Sequence, residues 1–179
     1  MVATRAASSR LTLVIGGARS GKSRYAERRL IASAPPPWTY LATAEALDDE
    51  MAQRIGAHRA RRGENWRTVE APRDLPEALA ALPHGAAVLV DCLTLWLSNL
   101  LLAGADIEAE TQRLDAALMK MEGPVVVVSN EVGLAIVPEN ALARRFRDLQ
   151  GLLNQRVAAH ADEVVLMVAG LPLFVKGHA

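Results

Sequence analysis

The stretch GGARSGKS is where residue types and spacing could do chemistry most directly. It runs Gly16, Gly17, Ala18, Arg19, Ser20, Gly21, Lys22 and Ser23, with glycine at its first and sixth positions, then lysine and a hydroxyl. Glycines let a backbone curl until several N–H groups point at one anion. A helix opening at the loop adds the positive end of its dipole. In such a cradle Lys22 reaches the β- and γ-phosphates of a nucleotide and the Ser23 hydroxyl ligates Mg2+. Arg19 either touches phosphate or faces water. The hydrated metal also needs a carboxylate at the end of a neighbouring strand. Asp91, which closes the apolar run AAVLV, is the candidate; the competing role for such a residue is a helix N-cap.

A second group sits in EMAQRIGAHRARRGENWRTVE. Arg61 and Arg62 follow His58 by three and four residues, so on a helix all three share a face. Neighbouring guanidinium groups disfavour a cationic imidazole and keep the ring neutral and nucleophilic near pH 7. Such a ring could attack phosphorus and form a phosphoramidate while the arginines hold a triphosphate. The plainer alternative is a surface helix carrying a passenger histidine.

These groups need a scaffold, and the hydrophobic pattern supplies one. LTLVI (Leu11 to Ile15) predicts a buried strand that stops at Gly16. From Lys22 the pattern turns helical until Pro35, Pro36 and Pro37 end it. WTYLAT predicts a strand, Leu47 to Gly63 a helix, WRTVE a brief strand and PEALAAL a short helix. Ala87 to Val90 predicts a strand ending at Asp91, followed by two helical stretches separated by Gly104. PVVVVSNEVG predicts a strand followed by a long amphipathic helix with Leu142, Phe146, Leu149, Leu153 and Val157 on one face. EVVLMVAG predicts the last strand. Continuous apolar strands alternating with helices imply an α/β fold of the P-loop NTPase type, a mostly parallel central sheet with helices on both faces.

The 179 residues suit one core, expected over 11–179, behind a loose polar tail over 1–10. Twenty basic residues balance twenty acidic ones, so no global field draws nucleic acid or an anionic membrane. The apolar runs are too short to span a bilayer, and no signal-peptide pattern is present. With one cysteine, Cys92, no internal disulfide is possible, which fits the cytoplasm. No asparagine is followed by lysine, so the Asn-Lys-x-Asp guanine reader of switch GTPases is missing, as are His-Arg-Asp and Asp-Phe-Gly of protein kinases. A small-molecule phosphotransferase or nucleotidyltransferase remains, with a nucleotide sensor lacking transfer chemistry as the non-enzymatic rival.

The blocks GGARSGKSRYAE, YLATAEALDDEMAQRIGAHRARR, WRTVE, VDCLTLWLSNLL and SNEVGLAIVPENALARRFRDLQGLLNQRVAAHADEV carry a closer likeness. Through them the chain, from Leu11 to about Val168, resembles the bifunctional adenosylcobinamide kinase / adenosylcobinamide-phosphate guanylyltransferase family of cobalamin biosynthesis. The resemblance implies phosphorylation of the corrinoid's aminopropanol hydroxyl by ATP or GTP, then transfer of GMP from GTP through a GMP-histidine, for which His58 is the matching position. It also implies nucleotide contacts at Ala42, Thr43 and Ala44, at Arg59, Ala60, Arg61 and Arg62, and at Glu70 and Asp91. Asp91 stands where some members have glutamate. A carboxylate at Glu70 could accept from N1 and N2 of guanine, which adenine cannot offer; a solvated strand-end acid is the alternative. A homotrimer is implied too. Asn130 and Glu131 follow a core strand, where α/β proteins place ligand contacts, without an assignable role.

Overall fold

The computed structural model describes residues 10–45, 56 and 63–177. In chain order the elements are β1 (Leu11–Gly16), α1 (Lys22–Ser33), β2 (Trp38–Ala42), β3 (Trp66–Glu70), α2 (Leu75–Ala80), β4 (Ala87–Asp91) and α3 (Leu93–Leu102). They continue with α4 (Ile107–Lys120), β5 (Val125–Val128), α5 (Ala141–His160), β6 (Glu163–Val168) and β7 (Leu171–Lys176). The strands form one sheet in the order β3-β2-β4-β5-β1-β6-β7. Every neighbouring pair is parallel except β6 with β7.

The strands are buried because both faces are covered. Alternate residues split cleanly between the two faces, as the two-residue period of a strand requires. Leu13, Val88, Val90, Val125 and Val127 pack with Leu75, Trp96, Leu114 and Val157, so α2 to α5 cover one face. Val14, Leu89, Val126, Val128 and Val165 pack with Ala26 and Leu30 of α1 on the other. Asn140 caps α5, its side chain accepting from the N–H groups of Leu142 and Ala143. Leu153 and Val157 reach the core and Phe146 and Leu149 pack against it, but Leu142 lies exposed in the first turn of α5.

The sheet corrects two sequence expectations. EVVLMVAG is not the last strand: Ala169 and Gly170, both at positive φ, turn the chain back into the antiparallel β7. Its Pro172 and mostly exposed side chains give β7 no buried pattern, and the sheet edge is where a strand tolerates proline. The ladder of β5 covers only Val125–Val128, shorter than the predicted PVVVVSNEVG. The predicted helix of Leu47 to Gly63 lies, except for residues 56 and 63, outside the described residues.

Far from the loop end of the sheet, an ion pair between the half-buried Arg29 and the buried Glu163 ties α1 to β6. Arg29 donates from Nε to Glu163 Oε2 at 3.0 Å and from Nη2 to Oε1 at 3.2 Å. Thr12 adds a hydroxyl donor to Oε2 at 3.2 Å.

Candidate active site

In a parallel sheet all strands deliver their C-terminal ends to one edge, where loops can share a ligand. Register fixes which residues meet there. Gly16 pairs with Met167, Ala42 with Glu70 and Asp91, and Asp91 with Val128.

The cradle is built by backbone conformation. Gly16 has φ 152° and Gly21 φ 93°, both in the region that excludes most side chains. A Cβ on Gly16 would meet Met167 O at 2.6 Å and Ser20 Oγ at 2.8 Å, whereas one on Gly17 would meet nothing within 4 Å. Arg19 adopts φ 54° and is exposed, leaving its side chain at the mouth of the loop. The loop is tied back when Gly170 N–H donates to Ser20 O at 3.1 Å. Lys22 opens α1, and its side chain is only 8% exposed. Its ammonium donates to Gly17 O at 2.5 Å and reaches Ser20 Oγ at 3.5 Å, so it curls across the loop where phosphate would lie. Burial lowers its pKa from 10.5, and the attraction of the Asp91 carboxylate offsets only part of that.

Asp91 ends β4, two strands from β1, about 10 Å across the sheet from the cradle. Tyr40 of β2 donates its hydroxyl to Asp91 Oδ2 at 3.0 Å. Its ring is buried and meets Trp66 edge-on at 6.3 Å, with Trp38 beyond at 5.4 Å from Trp66. Asp91 therefore does not cap α3: Cys92 holds the N-cap position and the cap accepts no side-chain bond. Burial pushes the Cys92 thiol up to about 11, which keeps it protonated beside the carboxylate.

The predicted Ala42, Thr43 and Ala44 stretch lies at the same edge. Thr43 is fully buried, and its hydroxyl is engaged twice by Cys92, donating to the carbonyl at 2.7 Å and accepting from the N–H at 2.8 Å. Asn99 of α3 donates to both Thr43 O and Pro72 O at 2.9 Å. This side chain joins the ends of β2 and β3, with Ala42 and Ala44 half-buried on either side of Thr43. Glu70 ends the edge strand β3, exposed, four strands from β1 and thus about 19 Å across the sheet from the cradle. That separation leaves it within reach only of the end of a ligand farthest from the cradle. His58, Arg59, Ala60, Arg61 and Arg62 lie outside the described residues.

Sequence reading missed Tyr40, Thr94, Asn99 and Asn154. Each acts through hydrogen bonds to residues more than twenty positions away, for which no local signal exists.

Among the described residues no three His, Cys, Asp or Glu side chains converge as an all-protein metal cage. Asp91 and Ser23 instead offer few, hard oxygen donors, the kind that suit Mg2+ carrying its own waters and a substrate's phosphates.

The described helices include none long and apolar enough to cross a membrane. Among solved structures, a KaiC-like protein of Pyrococcus horikoshii OT3 matches at a TM-score of 0.49 and 11% identity, over 87% of this chain and 69% of that one. Among characterised sequences, the bifunctional adenosylcobalamin biosynthesis protein CobP of Pseudomonas aeruginosa is 47% identical over 92% of this chain and 96% of its own. The protein CobU of the same description from Salmonella typhimurium is also 47% identical, over 93% and 99%. The pattern of one family matches residues 12–175, nearly all of the sheet and its helices, and so the chain belongs to the cobinamide kinase / cobinamide phosphate guanyltransferase family.

Proposed function

We propose that the protein is a bifunctional enzyme that phosphorylates adenosylcobinamide with ATP or GTP and then transfers GMP from GTP to the resulting phosphate. The products of the second step are adenosylcobinamide-GDP and pyrophosphate. Family membership supplies the reaction class, and the single observation that carries the chemistry is the Gly16–Ser23 cradle with Lys22 folded across it.

In the kinase step, backbone N–H groups of Gly17 to Ser23 and the Lys22 ammonium hold the phosphates in line with the corrinoid hydroxyl. Ser23 and Asp91 would hold Mg2+, which supplies charge neutralisation on the phosphates when bound. Ala42 and Ala44 line the path from the cradle to Glu70, which reads guanine. In the transferase step the neutral His58 imidazole attacks the α-phosphorus of GTP: an N–P bond forms and pyrophosphate leaves. The Arg59–Arg62 segment steadies the charge that develops. The corrinoid phosphate oxygen then attacks the same phosphorus and the N–P bond breaks, restoring the histidine.

Incubation with α-labelled GTP tests this directly. The wild type acquires an acid-labile, alkali-stable label, and His58→Ala acquires none while still phosphorylating cobinamide. Normal guanylyl transfer without any label would overturn the histidine route.

We also propose a cytoplasmic homotrimer. Leu134 (87% exposed), Ile136 (95%) and Val137 present apolar side chains to solvent just before α5. An apolar recess of about 300 Å3 lined by Leu101, Leu102, Leu142 and Phe146 lies between α3 and α5. Surfaces of this kind mark interfaces. A monomer mass by light scattering at micromolar protein would overturn the assembly.

A further inference from the structure

Past Val128 the chain keeps pairing with β1. Ser129 N–H donates to Val14 O at 2.9 Å and Glu131 N–H to Gly16 O at 3.0 Å. Residue 130 therefore lies level with the start of the phosphate cradle. The two-residue alternation places Asn130 on the same face as Val126 and Val128, the face covered by α1, while Ser129 faces α5. Asp91, in register with Val128, lies on the next strand, and Asn130 stands two residues, about 6.6 Å, farther out. That is the gap between the metal-side carboxylate and Gly16.

The Asn130 peptide is clamped from two helices. Its N–H donates to Thr94 Oγ1 of α3 at 2.8 Å, and its carbonyl accepts from Asn154 Nδ2 of α5 at 3.0 Å. Asn154 is itself fixed, because its Oδ1 accepts from Ser129 Oγ at 2.6 Å and from Gln150 Nε2 at 3.0 Å. Thr94, Ser129, Gln150 and Asn154 are all buried. Buried side chains joined by hydrogen bonds hold one geometry; of these four, Gln150 alone leaves an atom, Oε1, without a partner, and that atom does not touch the Asn130 peptide. Yet the group they hold is unused: Asn130 is half-buried, and among the described residues its carboxamide has no hydrogen-bond partner.

We propose that Asn130 contacts the terminal phosphate of the bound nucleoside triphosphate, its Nδ2 donating to a phosphate oxygen, and that Thr94 and Asn154 are positioning residues that aim it. The carboxamide finds an acceptor oxygen on the terminal phosphate of the triphosphate and none there in the diphosphate product, so it favours the triphosphate. This role rests on the phosphotransfer reading above, but its test does not need turnover.

Calorimetric affinities for a non-hydrolysable ATP analogue and for ADP, each with Mg2+, decide the matter. Asn130→Ala weakens the analogue about tenfold and leaves ADP within twofold; Asn130→Asp, which sets a carboxylate against phosphate, weakens the analogue further. Thr94→Val shows the same selective loss, Thr94→Ser restores it, and the Thr94→Val/Asn130→Ala double variant is no worse than Asn130→Ala. A merely structural role for Thr94 would add its loss to that of Asn130→Ala and weaken ADP equally. If Asn130→Ala or the milder Asn130→Ser leaves the analogue and ADP in their wild-type ratio, the proposal is overturned. Failure of the wild type to phosphorylate cobinamide, with triphosphate selectivity intact, would unseat the functional reading and leave the Asn130 contact standing.

Discussion

Tyr40 and Asp91, on adjacent strands and fifty-one residues apart in sequence, share a hydrogen bond of 3.0 Å that fixes one oxygen of the carboxylate facing the cradle. The phenol takes up a lone pair on Oδ2 and turns the carboxylate toward one geometry. Tyr40→Phe keeps the buried ring and removes only that donor. The expected outcome is a severalfold higher Mg2+ requirement in the kinase assay, with stability lower by about 1 kcal/mol. A Mg2+ titration and a urea melt measure both, and an unchanged metal requirement would show that Tyr40 serves packing alone.

Burial of the Lys22 ammonium costs the folded protein stability. Its depressed pKa means that the unfolded chain binds more protons than the folded one between the lowered value and 10.5. Its contribution to stability therefore rises as pH climbs through that window and is least favourable below it. Lys22→Met removes the buried charge. We expect a melting temperature at pH 7 no lower than that of the wild type, a flatter stability profile on the alkaline side below pH 10.5, and triphosphate affinity weaker by roughly 10²-fold.

Gly16 and Gly17 are adjacent but differ in what they tolerate. Gly16→Ala forces a Cβ against Met167 O and Ser20 Oγ at a φ of 152°. It should destabilise the fold by about 2 kcal/mol or more and abolish nucleotide binding. Gly17→Ala meets open space and should leave the melting temperature within about 2 °C. Equal losses in the two variants would contradict the cradle geometry.

The Arg29–Glu163 pair gives a control remote from the loops. Arg29→Met strands a buried carboxylate and should cost about 3 kcal/mol. For a chain of this size that is a fall of roughly 6–12 °C in melting temperature. Below that temperature both activities should keep their wild-type KM values.

Glu70→Ala tests the base reader. If Glu70 accepts from guanine, the variant loses its preference for GTP over ATP as nucleotidyl donor by about tenfold. Retention of that preference assigns Glu70 to the solvated edge of β3.

Much of the fold could be read before any coordinates. The valine-rich β5 is an uninterrupted apolar run and β1 is apolar but for the buried Thr12, because both sheet faces are covered and burial on two sides erases polar alternation. β7 escaped because an edge strand with exposed side chains and a proline carries no burial signal. The cradle was legible residue by residue, since a loop that binds phosphate through its own backbone encodes its chemistry in consecutive positions.

By itself the sequence determined the phosphate loop, the strands that lead into it and the family to which the chain belongs. Only the tertiary structure decided which side chains hold that loop's surroundings in place. Thr43 against Cys92, Tyr40 against Asp91 and the Thr94–Asn130–Asn154 clamp join residues from twenty-four to fifty-one positions apart. The physical reason is that periodicity and turn chemistry act over a few residues. A hydrogen bond between strand ends depends instead on strand order and register, which arise only when the whole sheet assembles.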